Sequence, residues 1–131
     1  MFKRAVNPDS RPPTLELTGP AFHHHQIIAP FLRDHDGVTA VVAASDHVAR
    51  QVILAARALG RDVPRDLSVV GFGNDVFGQG DVPLTTIDQQ PYELGRVAAG
   101  LALDHNTPPQ RRRKMPTRLI VRQSSGPATG P

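Results

Sequence analysis

Residues 38–43, Val-Thr-Ala-Val-Val-Ala, form a short and almost unbroken apolar run, and residues 67–72, Leu-Ser-Val-Val-Gly-Phe, form a second. The first is as expected of a strand covered on both faces. Between them Val48, Ala49, Val52, Ile53, Ala56 and Leu59 recur at the spacing of one helix face. Ser45 or Asp46 supplies an N-cap for that helix, and Gly60 marks its stop. A turn through Asp62-Val63-Pro64 then leads into the second run. Strand, helix and strand, with 44–66 as the crossover, make a βαβ unit whose strands are parallel and whose connection is right-handed. The unit points to an open α/β sheet flanked by helices.

The rest of the chain extends this sheet. Residues 1–13 are polar and punctuated by proline, as expected of a flexible arm. Thr14 to Thr18 alternates, with Leu15 and Leu17 against Thr14, Glu16 and Thr18, and predicts a half-buried strand. A helical stretch from about Ala21 to Asp34 contains Pro30, which should kink or break it. Residues 73–83 are too rich in glycine and proline for a helix and read as a long loop. Leu84 to Ile87 is a short extended segment. Pro91 opens a helix with an apolar stripe of Leu94, Val97, Ala98 and Leu101. A basic loop follows, then a last strand over 117–122, then a tail, 126–131, expected to be disordered. At 131 residues, 39% apolar and 21% charged, the chain has the size and composition of one globular domain.

Several functions find no support. No run of about 18 apolar residues could span a membrane. The first twenty residues contain no apolar segment of a secretory signal, and the chain has no cysteine, so neither disulfide nor thiolate chemistry is available. Gly71-Phe72-Gly73 is followed by Gly78 rather than by the third glycine and helix of a dinucleotide site, so no cofactor is expected. Consecutive His23, His24 and His25 point about 100° apart on a helix, whereas paired metal ligands sit at i and i+4, so no metal is expected. No catalytic serine, histidine and aspartate set is suggested. The net charge is +3, with Arg111, Arg112, Arg113, Lys114, Arg118 and Arg122 gathered in one stretch. No aromatic residue lies between these charges, which favours a solvated loop over a nucleic-acid surface.

Ligands of open α/β sheets bind outside the carboxyl ends of the strands. Ala44-Ser45-Asp46 follows the first apolar run and Gly73-Asn74-Asp75 follows the second. If the two strands are neighbours, Ser45, Asp46, Gly73 and Asn74 converge on one crevice and offer hydroxyl, carboxylate and amide groups to a polyhydroxylated ligand. The alternative is that Ser45 or Asp46 only caps a helix and Asn74-Asp75 only turns the chain. Leu54 lies opposite the apolar stripe of its helix, between Arg50 and Gln51 and about 60° from Arg57. It is either an ordinary surface leucine or the centre of a partner-binding face.

Four blocks in this order carry a resemblance: TAVVAASDHVA, then LGRDVPRDLSVVGF, then PLTT, then VRQS. Together they span about residues 37–125, and the chain resembles the lactose-repressor/galactose-repressor (LacI/GalR) family of bacterial transcription regulators. The resemblance implies the C-terminal part of an effector-binding domain, with the C-terminal lobe of a periplasmic-binding-protein-like fold over residues 14–125. It implies a truncated unit: the helix-turn-helix, the hinge helix, the N-terminal lobe and the first βα unit would lie outside the chain. Residues 86–116 would cross to that other lobe. Many members hold a sugar hydroxyl with an Asp just after the Gly-Phe pair; here Gly73 stands there, followed by Asn74. A homodimer through Arg50, Leu54, Arg57, Val76, Phe77 and Val82 is implied, since members dimerise through the corresponding helix and loop. The expectation is therefore a cytoplasmic effector sensor, not an enzyme, binding a sugar or nucleoside-like molecule. DNA would be contacted only through a helix-turn-helix absent from this chain. The other readings are a fragment of the solute-binding protein of a sugar importer and a small nucleotide-using α/β enzyme.

Overall fold

The computed structural model describes residues 11–17, 24–76, 80–104 and 112–127. The βαβ unit is present: β1 (Ala40–Val42), α2 (Asp46–Ala58) and β2 (Ser68–Gly73), preceded by α1 (His24–Asp34). It is followed by β3 (Thr85–Asp88), α3 (Pro91–Leu103) and β4 (Arg118–Ile120). The four strands lie in the order β1-β2-β3-β4. Val41 stands opposite Val69 and Gly71 opposite Thr86 in parallel pairs, while Ile87 faces Leu119 across the antiparallel pair. The last strand thus returns against the direction of the other three.

Helix α2 is bounded as its sequence requires. Ser45 is its N-cap, accepting from the Val48 N–H at 3.2 Å. At the other end Gly60 takes φ +72, its N–H donates to Arg57 O at 2.9 Å, and the Arg61 N–H donates to Ala56 O at 2.9 Å. This is the Schellman closure, for which glycine is the natural residue. The buried face of α2, with Ala49, Val52, Ile53, Ala55 and Ala56, packs on Val69 and Leu67 and on Ile28 and Leu32 of α1. The core therefore lies between one face of the sheet and two helices.

Among the described residues much of the other face of the sheet is exposed, although Thr85 on that face is buried, its hydroxyl bonded to Arg122 and Ser125. Val42 is 80% exposed, Phe72 38% and Leu119 59%. The apolar run over 38–43 does not, then, mark a strand covered on both faces: α1 and α2 pack together on one side, and β1 is the edge of the sheet. Helix α3 contributes no buried residue. Its apolar side chains Tyr92, Leu94 and Leu103 face outward.

Other expectations are corrected. Residues 11–17 form no strand, although Leu15 and Leu17 pack on the core while Thr14 and Glu16 are exposed. The alternation reflects that contact and not a hydrogen-bonded ladder. Helix α1 runs unbroken through Pro30, whose exposed position loses one backbone bond while Ile28 and Leu32 on the inner face stay buried. Residues 86–88, expected to leave the sheet, belong to β3. Gly126, expected in a disordered tail, is tied at both its N–H and its carbonyl to the Ser68 hydroxyl. Residues 1–10 of the expected arm and 128–131 of the tail lie outside the described residues. Among the described residues no helix is long and apolar enough to cross a membrane.

Candidate functional site at the carboxyl edge of the sheet

Because β1, β2 and β3 are parallel neighbours, their carboxyl ends open on one edge, and the segments after β1 and β2 meet there. Asp46 occupies the first turn of α2 directly behind Ser45. It is fully buried. Its Oδ1 accepts from Thr86 Oγ1 at 2.5 Å and its Oδ2 from the Asp75 N–H at 3.0 Å. Asn74, with φ +57, donates its N–H to the same Thr86 hydroxyl at 3.4 Å. Its side-chain Oδ1 accepts from Arg122 Nη2 at 2.8 Å. Asp46, Thr86, Asn74 and Arg122 thus form one connected network under the edge.

Glycine is required twice here. A Cβ on Gly71 would lie 2.2 Å from Asp46 Oδ1 and 3.2 Å from its Cα, so the close approach of α2 to β2 needs a bare backbone. Gly73 takes φ +134, which a side chain rarely adopts, and sits beside the carboxylates of Asp46 and Asp75. The chain turns away from β2 at this point.

The expected residues come together, but they are not equivalent. Ser45, Gly73 and Asn74 are half-buried at the edge. Asp46, expected to touch a ligand, has no exposed surface and both oxygens engaged within the chain; it braces the site from beneath. Thr86 and Arg122 were missed. Both stand in recognisable blocks, PLTT and VRQS, but only the fold brings them under Asn74. At the end of β3, Asp88 Oδ1 accepts from the Gln90 N–H at 2.8 Å, and Gln90 is held at φ +52. A cavity of about 910 Å³ runs along the free edge of β1 as far as Ala43 and Ala44, with apolar walls from Leu15, Leu17, Ile28, Phe31, Val41 and Val52 and polar side chains from Thr14, Glu16, His24 and Thr39. Its lining includes none of Ser45, Asp46, Gly73 and Asn74, and the strand ends are the candidate site that the parallel order of β1–β3 favours.

The outer face of α2 is organised by one carboxylate. Asp81 pairs with Arg57 and lies 3.6 Å from Arg50, whose Nη1 also donates to Val82 O at 3.3 Å. The Arg57 guanidinium holds the Asp81 carboxyl below the usual carboxylate range. Leu54 stands between the two arginines and is 45% exposed, with Val76 exposed nearby in sequence to the loop. Phe77 lies outside the described residues. In the helix that begins at His24, that residue is buried while His25 is half-buried, so the neighbouring rings diverge. Arg112, Arg113 and Lys114 are exposed on an irregular segment and Arg118 on β4, whereas Arg122 is drawn into the network.

The profile of the periplasmic binding protein-like domain matches residues 7–125. The ribose operon repressor of Halalkalibacterium halodurans is 33% identical over 104 residues, which are 76% of this chain and 31% of the repressor. The HTH-type transcriptional regulator MalR of Streptomyces coelicolor is 42% identical over 96 residues, 70% of this chain and 28% of MalR. The chain spans about a third or less of these curated relatives. Among solved structures, a LacI family transcriptional regulator from Arthrobacter sp. FB24 in complex with lactose superposes with a TM-score of 0.75 at 29% identity, covering 81% of this chain and 42% of that one. A LacI family regulator from Enterococcus faecium with bound ribose gives 0.70 at 29% identity, covering 83% and 41%.

Proposed function

Because the chain belongs to the family of periplasmic binding protein-like domains, in the form found in LacI-family regulators, we propose that it is the effector-sensing portion of a transcription regulator. Its ligand is a sugar or nucleoside-like small molecule, bound at the carboxyl edge of β1–β3 by Ser45, Gly73 and Asn74, with Asp46 bracing them. The observation that carries this reading is the convergence of the β1 and β2 ends on a buried carboxylate that ties them to Thr86. An edge held from below in this way needs no rearrangement to present its polar groups, which favours recognition. The lactose and ribose bound in the two similar regulators support a sugar-like ligand.

The chain carries out no chemistry of its own in this reading; its readout is conformational. It self-associates through the face carrying Arg50, Leu54 and Arg57 with the loop that holds Val76, Phe77 and Val82. Asp81 supports this by neutralising two arginines that a two-fold axis would otherwise set against their copies. DNA contact belongs to a helix-turn-helix elsewhere in the regulator, and such a regulator works in the cytoplasm. The exposed apolar side of α3 is consistent with residues of 89–116 packing against another lobe. The second reading, a solute-binding protein of a sugar importer, shares the fold and is disfavoured by relatives that are transcription regulators.

Calorimetry of the chain against lactose, cellobiose, ribose and uridine tests the assignment. The expected result is weak, millimolar-range binding to at least one, because a single lobe supplies one wall of the cleft, with loss of binding in Asn74→Ala. Submicromolar affinity, or binding indifferent to both Asn74→Ala and Ser45→Ala, would overturn it. An in-frame helix-turn-helix encoded upstream would support the regulator reading, and a secretory leader there would support the importer.

A further inference from the structure

An asparagine side chain accepts through Oδ1 and donates through Nδ2, and turning the amide over exchanges the two. Asn74 is not free to turn. Its Oδ1 accepts from Arg122 Nη2 at 2.8 Å, and a guanidinium has donors and no acceptor. Reversing the amide would set N–H against N–H. Arg122 is itself fixed, since its Nη1 donates to Leu84 O at 2.8 Å and its backbone N–H donates to Thr85 Oγ1 at 2.9 Å. The Asn74 backbone is pinned by Thr86. Oδ1 is thus committed to the Arg122 side, and Nδ2, with its two N–H donors, is the end of the amide turned from it.

Ser45 is biased in the same sense. Its Oγ accepts from the Val48 N–H as the helix cap, which leaves the hydroxyl hydrogen to be donated. Asp46, which could have accepted a ligand proton, is buried with both oxygens in use. Of the side chains of Ser45, Asn74 and Asp46, two offer donors and the third offers nothing, while Asp75 places a further carboxylate beside Gly73.

We propose that Arg122 sets the hydrogen-bonding sense of the effector edge: it fixes Asn74 as a donor, so the ligand atom received there is an acceptor oxygen. Such an atom is a hydroxyl, carbonyl, ring or ether oxygen, or a carboxylate, and it needs no proton of its own to be received. The inference rests on the effector edge assigned above and adds what that edge reads. Arg122 acts through Asn74 and is a positioning residue.

Asn74→Asp is the deciding substitution. A carboxylate keeps the bond to Arg122 but donates nothing. Using the whole chain and lactose, ribose, uridine and galacturonate as probes, Asn74→Asp should weaken whichever binds by about tenfold or more. Arg122→Met should weaken it too, and Arg122→Lys should restore part of the loss. A second readout is the side-chain amide of Asn74 in a ¹⁵N-labelled sample. Its resonance pair should shift towards that of a free asparagine amide in Arg122→Met and return towards the original position in Arg122→Lys. Equal or tighter binding by Asn74→Asp, or an amide resonance indifferent to Arg122→Met, overturns the inference while leaving the effector edge in place. Binding unchanged in Asn74→Asp, Asn74→Ala and Ser45→Ala together overturns the edge itself and the inference with it. If none of the probes binds, the effector reading fails for these ligand classes, and the amide resonance alone decides whether Arg122 holds Asn74.

Discussion

Thr86 Oγ1 donates to Asp46 Oδ1 at 2.5 Å, a bond shielded from solvent between residues 40 apart in the chain. It joins the first turn of α2 to the third strand. Since the same hydroxyl accepts from the Asn74 N–H, the three segments that border the candidate site are set relative to one another by a single side-chain oxygen. The bare backbone of Gly71 makes room for the carboxylate.

Gly71→Ala should be among the most destabilising small substitutions in the chain. The added methyl would stand 2.2 Å from Asp46 Oδ1 and 2.8 Å from Leu84 Cδ2. Overpacking of this kind costs about 1–3 kcal/mol, to which the disturbed Asp46 bonds add. Urea unfolding should show the midpoint falling well below that of the wild type, whereas Gly95→Ala, with open space around it, should leave the midpoint unchanged or raise it.

Asp46→Ala should abolish binding through the fold, not through a lost ligand contact. It leaves the buried Thr86 hydroxyl and the part-buried Asp75 N–H without the carboxylate they share. The expected loss of stability is roughly 2–4 kcal/mol. Thermal unfolding and ligand titration should change together; an unaltered melting temperature with lost binding would show that Asp46 touches the ligand.

Self-association should depend on Leu54. Burying one leucine contributes only about 1.5–3 kcal/mol, so the contact must draw on the neighbouring loop as well. Sedimentation should find Leu54→Asp monomeric and Leu101→Asp still dimeric. The reverse pattern would move the interface to α3, whose Tyr92, Leu94 and Leu103 are also exposed.

The loop over 80–83 should loosen in acid. Asp81 has its carboxyl held below the usual range by Arg57. A group depressed in the folded state stabilises it above the unfolded pKa, and that contribution is lost as the pH falls through the folded pKa. The hydrogen-exchange protection factor at Val82, in which the intrinsic slowing of exchange in acid is divided out, should therefore be lower at acidic than at neutral pH. In Asp81→Asn the exchange should already be fast at neutral pH and follow the intrinsic trend alone.

DNA binding by the chain alone should be weak and without sequence preference. Arg112, Arg113 and Lys114 are exposed on an irregular segment, and α1 is joined to α2 through β1 and not by the short turn of a helix-turn-helix, so the described residues offer no such recognition pair. Any retention on duplex DNA should vanish between about 50 and 200 mM salt. Salt-resistant binding to one operator would contradict this.

The βαβ unit was legible because everything that makes it is local. An apolar run, a capping serine, a 3.6-residue stripe and a glycine stop lie within one stretch, and each acts on its near neighbours. The meeting of the segments that follow β1 and β2, joined by Asp46 and the Asp75 N–H, followed from the rule that parallel strands share a carboxyl edge. What the sequence could not settle depends on contacts between distant segments. Val38–Ala43 reads as a doubly covered strand because apolar content records what a face could bury, whereas only packing decides that the helices cover one side and leave Val42 bare. Asp46 reads as an available carboxylate until Thr86 and the Asp75 N–H occupy it. Asn74 has two possible orientations, and Arg122, 48 residues away, selects one. Residue types thus set the groups that could act at this edge; the tertiary structure decided which of their hydrogen-bonding capacities were already used, because a buried donor or acceptor must find a partner wherever the chain brings one.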